Sequence, residues 1–441
     1  MKVINAWICK IKDNSVIPIF GDLEIEEGKI VKIEIRQFDL LNLRTSENSE
    51  TIDAKGRVLT IPNVNFHDHI YSRLAKGLDI KGDMSNFPNI LKNLWWKLDS
   101  LLDLEMIEAS AKIAALESIQ NGVTYIVDHH SSPNFAKDSL RTISKTLEDF
   151  NLRNVLCFET TDRNGKELSE NGFNENINFL KNYTTVNSKS LLGLHASFTL
   201  DNDSLKNASK LIIENNWGIH VHICEDKSDV HLSQEKYSAK PMLRFEKYNL
   251  LNDKSILAHG IHLDEEDFEL IKNSKASLVF NLDSNMNNSV GLQKFKMIPK
   301  EIPILIGTDG MHADVARSFK ELFLQLRNAG LSFDDSFSFM IKTYFDQNNF
   351  IKKFFPDFTN LQLFERADFI IWDYVPPTPL NQNNFWSHYI YGIIERPIKT
   401  VMQNGEILLD EFKFKNVNES KILNGIYSQG ERLFKKFNEE K

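Results

Sequence analysis

The chain has 441 residues, of which 41% are hydrophobic and 26% charged, a composition typical of globular proteins. Its net charge is −9, and residues of both charge signs are interspersed along the chain. The sequence has no basic stripe, which argues against nucleic acid and membrane surfaces as partners. No run approaches the ~18 consecutive apolar residues of a membrane helix, and no signal peptide is recognisable, so we expect a cytoplasmic protein. The three cysteines are far apart and form no CxxC pair, which argues against a disulfide framework or a thiolate zinc site.

Both ends of the chain are rich in short strands and tight turns. The first end contains an apolar run at 3–9 and a hairpin that turns at Glu27-Gly28-Lys29. At the other end Asn404-Gly405 lies between apolar runs, which is a strong hairpin signal. We therefore predict a small β-sandwich domain assembled from residues 1–57 and 365–415.

The middle of the chain, residues 58–364, alternates predicted strands with amphipathic helical segments such as 104–121, 137–150 and 203–216. The predicted strands are 58–66, 123–128, 154–159, 190–196, 217–223, 255–259, 277–281 and 303–308. Eight such units favour an α/β fold of the (β/α)₈ TIM-barrel type, whose active sites gather at the carboxyl ends of the strands. The alternative is a doubly wound open sheet, but the chain has no GxGxxG motif.

Two further segments are predicted to pack around this barrel. The insert 70–103 carries several large apolar residues, including Trp95 and Trp96, and could form a lid over the site. Residues 416–441 have a helical apolar period and are predicted to form a C-terminal helix that packs on the barrel or on a second subunit.

Histidines are concentrated at the predicted strand ends. Eight of the twelve histidines in the chain lie there. His67 and His69 on the first strand are two residues apart, so their imidazoles point to the same side. The fifth strand offers His220 and His222 with the same spacing, and spacing alone does not choose between them. Asp309 follows the eighth strand.

These residue types fit hydrolysis with the help of a metal ion. Three imidazoles and the Asp309 carboxylate form an N₃O shell for a divalent ion, which lowers the pKa of a bound water from 15.7 to about 7. Glu225 lies near the fifth strand and suits a proton shuttle. His259, after the sixth strand, can hold the water or a developing oxyanion.

Four motifs together resemble the amidohydrolase superfamily. They are His67-Asp68-His69, the HxxE motif from His222 to Glu225, Ala258-His259-Gly260 and Gly307-Thr308-Asp309. The resemblance is to the mononuclear branch that contains guanine deaminase, S-adenosylhomocysteine deaminase and the triazine hydrolases. Further stretches, such as Asp162-Arg163-Asn164-Gly165 and Ser284-Asn285-Met286-Asn287-Asn288, are similar to aminohydrolases of the SsnA type.

The resemblance implies a role for each site residue. The metal ligands it implies are His67, His69, His222 and Asp309, and the catalytic residues are Glu225, His259 and Asp309. The strand-four segment 191–196 lacks the lysine of binuclear relatives, which favours a single divalent ion, zinc or alternatively iron. His195 matches a substrate-contacting position. We further expect substrate contacts from Arg163, whose guanidinium suits a carboxylate, and from His130 and Trp95.

The expected function is hydrolytic deamination of a small amino-substituted heterocycle such as a purine, pyrimidine or pterin. One alternative is hydrolysis of a cyclic amide, or loss of another leaving group, at the same centre. A second is a catalytically silent metal-binding barrel, against which the retention of both Glu225 and His259 argues. We also expect a homodimer or a higher homo-oligomer.

Overall fold

A computed structural model describes residues 1–46, 48 and 50–439 of the chain. The strands in chain order are β1 (Lys2–Lys12), β2 (Ser15–Glu26), β3 (Lys29–Ile35), β4 (Thr51–Asp53), β5 (Val58–Thr60), β6 (Asn63–Asp68), β7 (Val123–His130), β8 (Arg153–Phe158), β9 (Ser188–Ser190), β10 (Leu192–Ala196), β11 (Ile219–Ile223), β12 (Ile256–His259), β13 (Ser277–Phe280), β14 (Ile304–Ile306), β15 (Phe369–Trp372), β16 (Ile398–Gln403), β17 (Glu406–Asp410) and β18 (Lys413–Phe414).

The helices connect most of these strands. In chain order they are α1 (Phe87–Ile90), α2 (Trp96–Leu101), α3 (Leu104–Gln120), α4 (Ser139–Asp149), α5 (Lys166–Asn182), α6 (Asn202–Asn215), α7 (Lys227–Tyr237), α8 (Pro241–Lys247), α9 (Glu265–Ser274), α10 (Leu282–Asn287), α11 (Val315–Asn328), α12 (Phe333–Ile351), α13 (Phe385–Tyr391) and α14 (Glu419–Glu439). The predicted helices at 104–121, 137–150 and 203–216 are therefore present as α3, α4 and α6, with ends that differ by at most two residues.

One sheet draws its strands from both ends of the chain. Its order is β18-β17-β16-β15-β5-β1-β2-β3, with β4 also paired to β1. The expected turn at Asn404-Gly405 joins β16 to β17 as an antiparallel hairpin. The sheet thus agrees with a β domain built from both termini, while the domain boundaries given above remain our proposal.

The central strands are parallel and close into a barrel. Two sheets, β6-β7-β8-β9 and β10-β11-β12-β13-β14, are joined by parallel bridges between Thr160 and Leu194 and between Asp68 and Asp309. The fourth barrel strand is interrupted at Leu191, so that β9 pairs with β8 and β10 pairs with β11. The predicted TIM-barrel architecture is confirmed, and all the strand ends that carry histidines lie at one end of it.

The first predicted strand, 58–66, differs from what is observed. Val58–Thr60 pairs with β1 and β15 in the terminal sheet, whereas the first barrel strand, β6, begins at Asn63. Pro62 lies between them, and proline has no backbone N–H to donate to a ladder. The apolar run 58–66 is continuous in sequence because both β5 and β6 are buried. The chain passes from the terminal sheet to the barrel at Pro62.

The C-terminal helix α14 packs on α3 and α2. Ile426, Leu433 and Phe437 are buried in this contact. Arg432 and Lys436 both form ion pairs with Asp103, at 2.7 and 3.0 Å. The oligomeric state remains a prediction. Within residues 1–46, 48 and 50–439, no helix combines the length and the apolar character needed to cross a membrane.

Candidate active site

The imidazoles of His69 and His222 face each other at the carboxyl ends of β6 and β11. His69 donates its Nδ1 proton to the carbonyl of His129 at 2.6 Å, and His222 donates its Nδ1 proton to the carbonyl of His195 at 3.0 Å. A carbonyl only accepts, so in the neutral rings both Nε2 atoms keep their lone pairs. These two Nε2 atoms lie 3.0 Å apart. Two acceptors aimed at one point are the arrangement that a cation stabilises.

His220, the alternative candidate ligand on β11, contacts His67 instead. Its Nε2 lies 2.7 Å from Nδ1 of His67. The Nε2 of His67 is buried and has no hydrogen-bond partner within the part of the chain that the structure describes. His220 therefore orients the ring of His67 from behind and leaves His67 Nε2 free to bind a metal ion, as outer-shell partners commonly do. The geometry favours His222 over His220 as the ligand.

Asp309 completes the group from the end of the eighth barrel strand. Its Oδ1 lies 3.2 Å from Nε2 of His69 and 3.7 Å from Nε2 of His67. Its Oδ2 accepts a hydrogen bond from the Ser284 hydroxyl at 2.6 Å, which fixes the carboxylate. The turn that carries Asp309 needs Gly307, because a Cβ there would lie 2.7 Å from the Cβ of His67.

The charge state of this group suits a divalent cation. Burial, followed by the neighbouring histidines, holds the pKa values of His67 and His222 well below the ordinary range, so both rings are neutral ligands. Burial alone would raise the pKa of Asp309, but His69, His259 and Ser284 bring it below its ordinary value. Imidazole nitrogens and a carboxylate oxygen are ligand types that zinc accepts. The described residues therefore include a candidate metal site that fits a divalent ion.

Two candidate proton-transfer groups, Glu225 and His259, adjoin the candidate ligands. His259 Nε2 lies 3.6 Å from Oε2 of Glu225 and 3.8 Å from Oδ2 of Asp309. Asn285 accepts the Nδ1 proton of His259 at 2.8 Å, so Nε2 is the atom that faces the site. Burial, and then the charge of Asp309, raises the pKa of Glu225 well above its ordinary value, which suits a group that takes up and returns a proton.

The turn after β11 directs Glu225 towards His259. Cys224 has a left-handed backbone with φ +48°, which is uncommon for a residue with a side chain. Its N–H donates to the Asp229 carboxylate at 2.6 Å, which stabilises the turn. His259 likewise has φ +73° and Asp309 φ +53°. Such backbone conformations cluster at functional sites, where the surrounding structure holds them.

A cleft opens over the candidate ligands, and His69, His222 and Asp309 are among its lining residues. One wall is apolar and aromatic, with Phe87, Leu91, Trp95, Trp96 and Phe198 among its lining residues. Four of these five come from the insert 70–103, so the insert covers the site as the lid interpretation expected. A flat ring would find apolar surface here and polar groups at the base.

Two of the four expected substrate-contacting residues, His195 and Trp95, line the cleft, whereas His130 and Arg163 do not. His130 is fully buried and bonds the Ser132 hydroxyl at 2.8 Å, the local contact expected of a structural histidine. Arg163 is ion-paired with Asp99 and lies 3.1 Å from Glu159. Asp99 and Glu159 line the cleft in its place.

Sequence reasoning assigned no role to Ser284 and Asn285, although it singled out the stretch that contains them. Both lie on the short helix α10, directly after the seventh barrel strand, and each holds one reactive group. Two adjacent polar residues within the short helix that follows a strand end are the signal that could have identified them. Asp99 is harder to predict, because it lies on α2, outside the strand ends.

Comparison with known proteins places this site in a family. The sequence matches the amidohydrolase family over residues 60–353, which is more than half of the chain. The chain belongs to the amidohydrolase family. The superfamily resemblance inferred from the four motifs is thereby confirmed, and residues 60–353 run from the end of β5 to α12 and include the whole barrel.

Individual amidohydrolases align along nearly the whole chain. It is 24% identical to a 5-methylthioadenosine/S-adenosylhomocysteine deaminase of Clostridium tetani, over 95% of this chain and 96% of that protein. It is also 24% identical to a 5'-deoxyadenosine deaminase of Methanococcus aeolicus, over 97% and 98%. The fold matches the zinc-bound structure of an adenosine deaminase from Xanthomonas campestris with a TM-score of 0.76, 15% identity and 98% coverage of both chains.

Proposed function

We propose that this amidohydrolase is a hydrolytic deaminase of an amino-substituted heterocycle and depends on one zinc ion. The observation that carries the proposal is the convergence of four candidate ligands with Glu225 and His259, at a point where His69, His222, Glu225 and Asp309 line one cleft with an aromatic wall. The relatives named as deaminases support ammonia release over cleavage of a cyclic amide, since they align over almost all of the chain.

His67, His69, His222 and Asp309 would hold the ion. When bound, a divalent ion at this position lowers the pKa of a coordinated water and so supplies a hydroxide equivalent near neutral pH. We propose a single ion because the cluster that also involves His129 and Glu159 shares His69 and His222 with the first group. Each of those two rings has one free nitrogen, since the other donates to a carbonyl.

The chain's own residues handle the protons. In the addition step, the hydroxyl of water bonds to the ring carbon that bears the amino group, and Glu225 transfers the remaining proton to the ring nitrogen. His259 is placed to stabilise the oxygen that adds, because its Nε2 faces both Glu225 and Asp309. In the second step Glu225 takes the proton of the added hydroxyl and passes it to the amino group, the C–N bond breaks, ammonia departs and the oxygen becomes a ring carbonyl.

The test separates proton transfer from binding and folding. Glu225→Gln keeps the size of the side chain but cannot cycle a proton, so zinc content should persist while kcat falls by about 10²–10⁴. Glu235→Gln is the matched control, since Glu235 is an exposed residue on α7 with 68% of its side chain accessible. Ammonia would be measured with amino-purines and their nucleosides, amino-pyrimidines, pterins and cyclic amides. Turnover of cyclic amides alone, without ammonia, would contradict the deaminase proposal.

A further inference from the structure

We propose that the cleft selects uncharged or cationic amino-heterocycles and rejects those bearing a carboxylate or phosphate, because the guanidinium beside it is already paired with two acidic side chains. The inference rests on the proposed function and names the substrate class of that same site. It concerns the cluster of Asp99, Glu159 and Arg163, here termed the Arg163 cluster. It replaces our expectation that Arg163 receives a substrate carboxylate.

Arg163 is held from several sides. Its Nη2 bonds the Asp99 carboxylate, and its Nη1 lies 3.1 Å from Oε1 of Glu159. The guanidinium also lies over the ring of Trp96, 5.1 Å from the centroid. Only 8% of the Arg163 side chain is exposed, and the two acidic side chains are more deeply buried. A substrate anion would have to break a buried ion pair to reach this cation.

The cleft offers no other basic side chain for an anion. Of the described residues that line it, none is lysine or arginine, whereas Asp99, Glu159 and Asp229 all contribute. An anionic substituent would therefore lose its water next to acidic side chains and gain no charged partner from the protein. Juxtaposed like charges weaken binding strongly, which is how interfaces commonly exclude the wrong partner.

The same acidic side chains favour a ligand that carries a hydrogen-bond donor. Asp99 and Asp229 line the cleft, and Oδ1 of Asp229 is buried and accepts no hydrogen bond from any described residue. An unsatisfied buried acceptor costs free energy, so a ligand N–H or O–H that reaches it is favoured. Hydroxyl, amino and ammonium substituents satisfy this condition, and carboxylate and phosphate do not.

The experiment compares ligands that differ at one substituent, which is neutral, cationic or anionic. Adenosine-type compounds with a 5'-methyl, a 5'-aminomethyl or a 5'-carboxylate group would be tested on the zinc-loaded protein, with matched triads on guanine, triazine and pterin rings. Calorimetry gives affinity for every compound and ammonia release gives kcat/KM. We expect the carboxylate member of each accepted triad to bind about 100-fold more weakly than the neutral member, with the ammonium member equal or tighter.

Variants of the Arg163 cluster test whether its acidic side chains cause the rejection of anionic ligands. Asp99→Asn and Glu159→Gln each leave Arg163 with one fewer anionic partner, so the ratio between neutral and carboxylate ligands should shrink about tenfold. Asp203→Asn, at a residue with 88% of its side chain exposed, should leave the ratio unchanged. If either cluster variant fails to fold, the other variant and the ratio in the unmodified protein still decide.

The outcomes separate this inference from the proposed function. Equal or tighter binding of carboxylate members overturns the inference, even when ammonia release upholds the deaminase. The expected binding order without ammonia from any compound upholds the inference and contradicts the deaminase. Absence of binding by every member of every triad also overturns the inference, because it requires that neutral or cationic rings bind.

Discussion

Replacing His220 tests whether β11 carries one ligand and one supporting histidine. In the structure, His220 contacts Nδ1 of His67 at 2.7 Å, and His222 directs its own Nε2 towards that of His69. His220→Ala should therefore leave all four proposed ligands in place and remove only the partner that orients His67. His222→Ala should remove a ligand outright.

The expected size of the effect follows from the single hydrogen bond that His220→Ala removes. An outer-shell partner of a metal-binding histidine is typically worth about 10- to 100-fold in metal affinity, or about 1.4–2.7 kcal/mol. Among the described residues His67 makes this one ring hydrogen bond, and its ring is fully buried. We expect His220→Ala to raise the zinc dissociation constant within that range. His220→Gln should recover part of the affinity, since its side-chain oxygen can accept the His67 proton.

The assay is zinc competition against a chelator of known affinity, with thermal unfolding of each apoprotein as a check on folding. His231→Ala is the matched control, because His231 is 77% exposed on α7. It should change zinc affinity less than twofold. The reasoning is refuted if His220→Ala abolishes zinc binding while His222→Ala weakens it only moderately, since the two histidines would then have exchanged roles.

Two further predictions concern the ligands and the Arg163 cluster. His67→Ala and Asp309→Ala should each lower bound zinc well below one equivalent by elemental analysis, and full occupancy in both variants would remove the basis of the metal site. Burial raises the pKa of Asp99 to about 6 and that of Glu159 to about 7, against the opposing charge of Arg163. Arg163→Met should raise both pKa values further. Protonation then favours the folded state, so stability falls as pH rises, and we expect a loss of about 3–5 kcal/mol at pH 8.5 but much less at pH 5.5, measured by chemical denaturation. An equal loss at both pH values would contradict this account.

Local sequence patterns determined most of the barrel and the composition of the site. The alternation of strand and helix along 58–364 predicts parallel strands whose carboxyl ends meet, and this alone brings His67, His222 and Asp309 together. The spacing of two residues on a strand places His67 and His69 on one side. These inferences hold because they depend on backbone periodicity, which is a property of consecutive residues.

Other features depended on contacts between distant segments, and only the tertiary structure decided them. His220 and His222 share one side of β11, so their spacing is uninformative, and the choice comes from hydrogen bonds to His67 and to the carbonyl of His195. The pairing of Arg163 with Asp99 joins residues 64 positions apart, so Arg163 read alone suggested an anion receptor. The sequence pattern did not reveal that the chain leaves the terminal sheet after β5 and enters the barrel at β6, because both strands are buried. Periodicity predicts which way a side chain points, but its role depends on the partner it meets there, and folding brings that partner from another part of the chain.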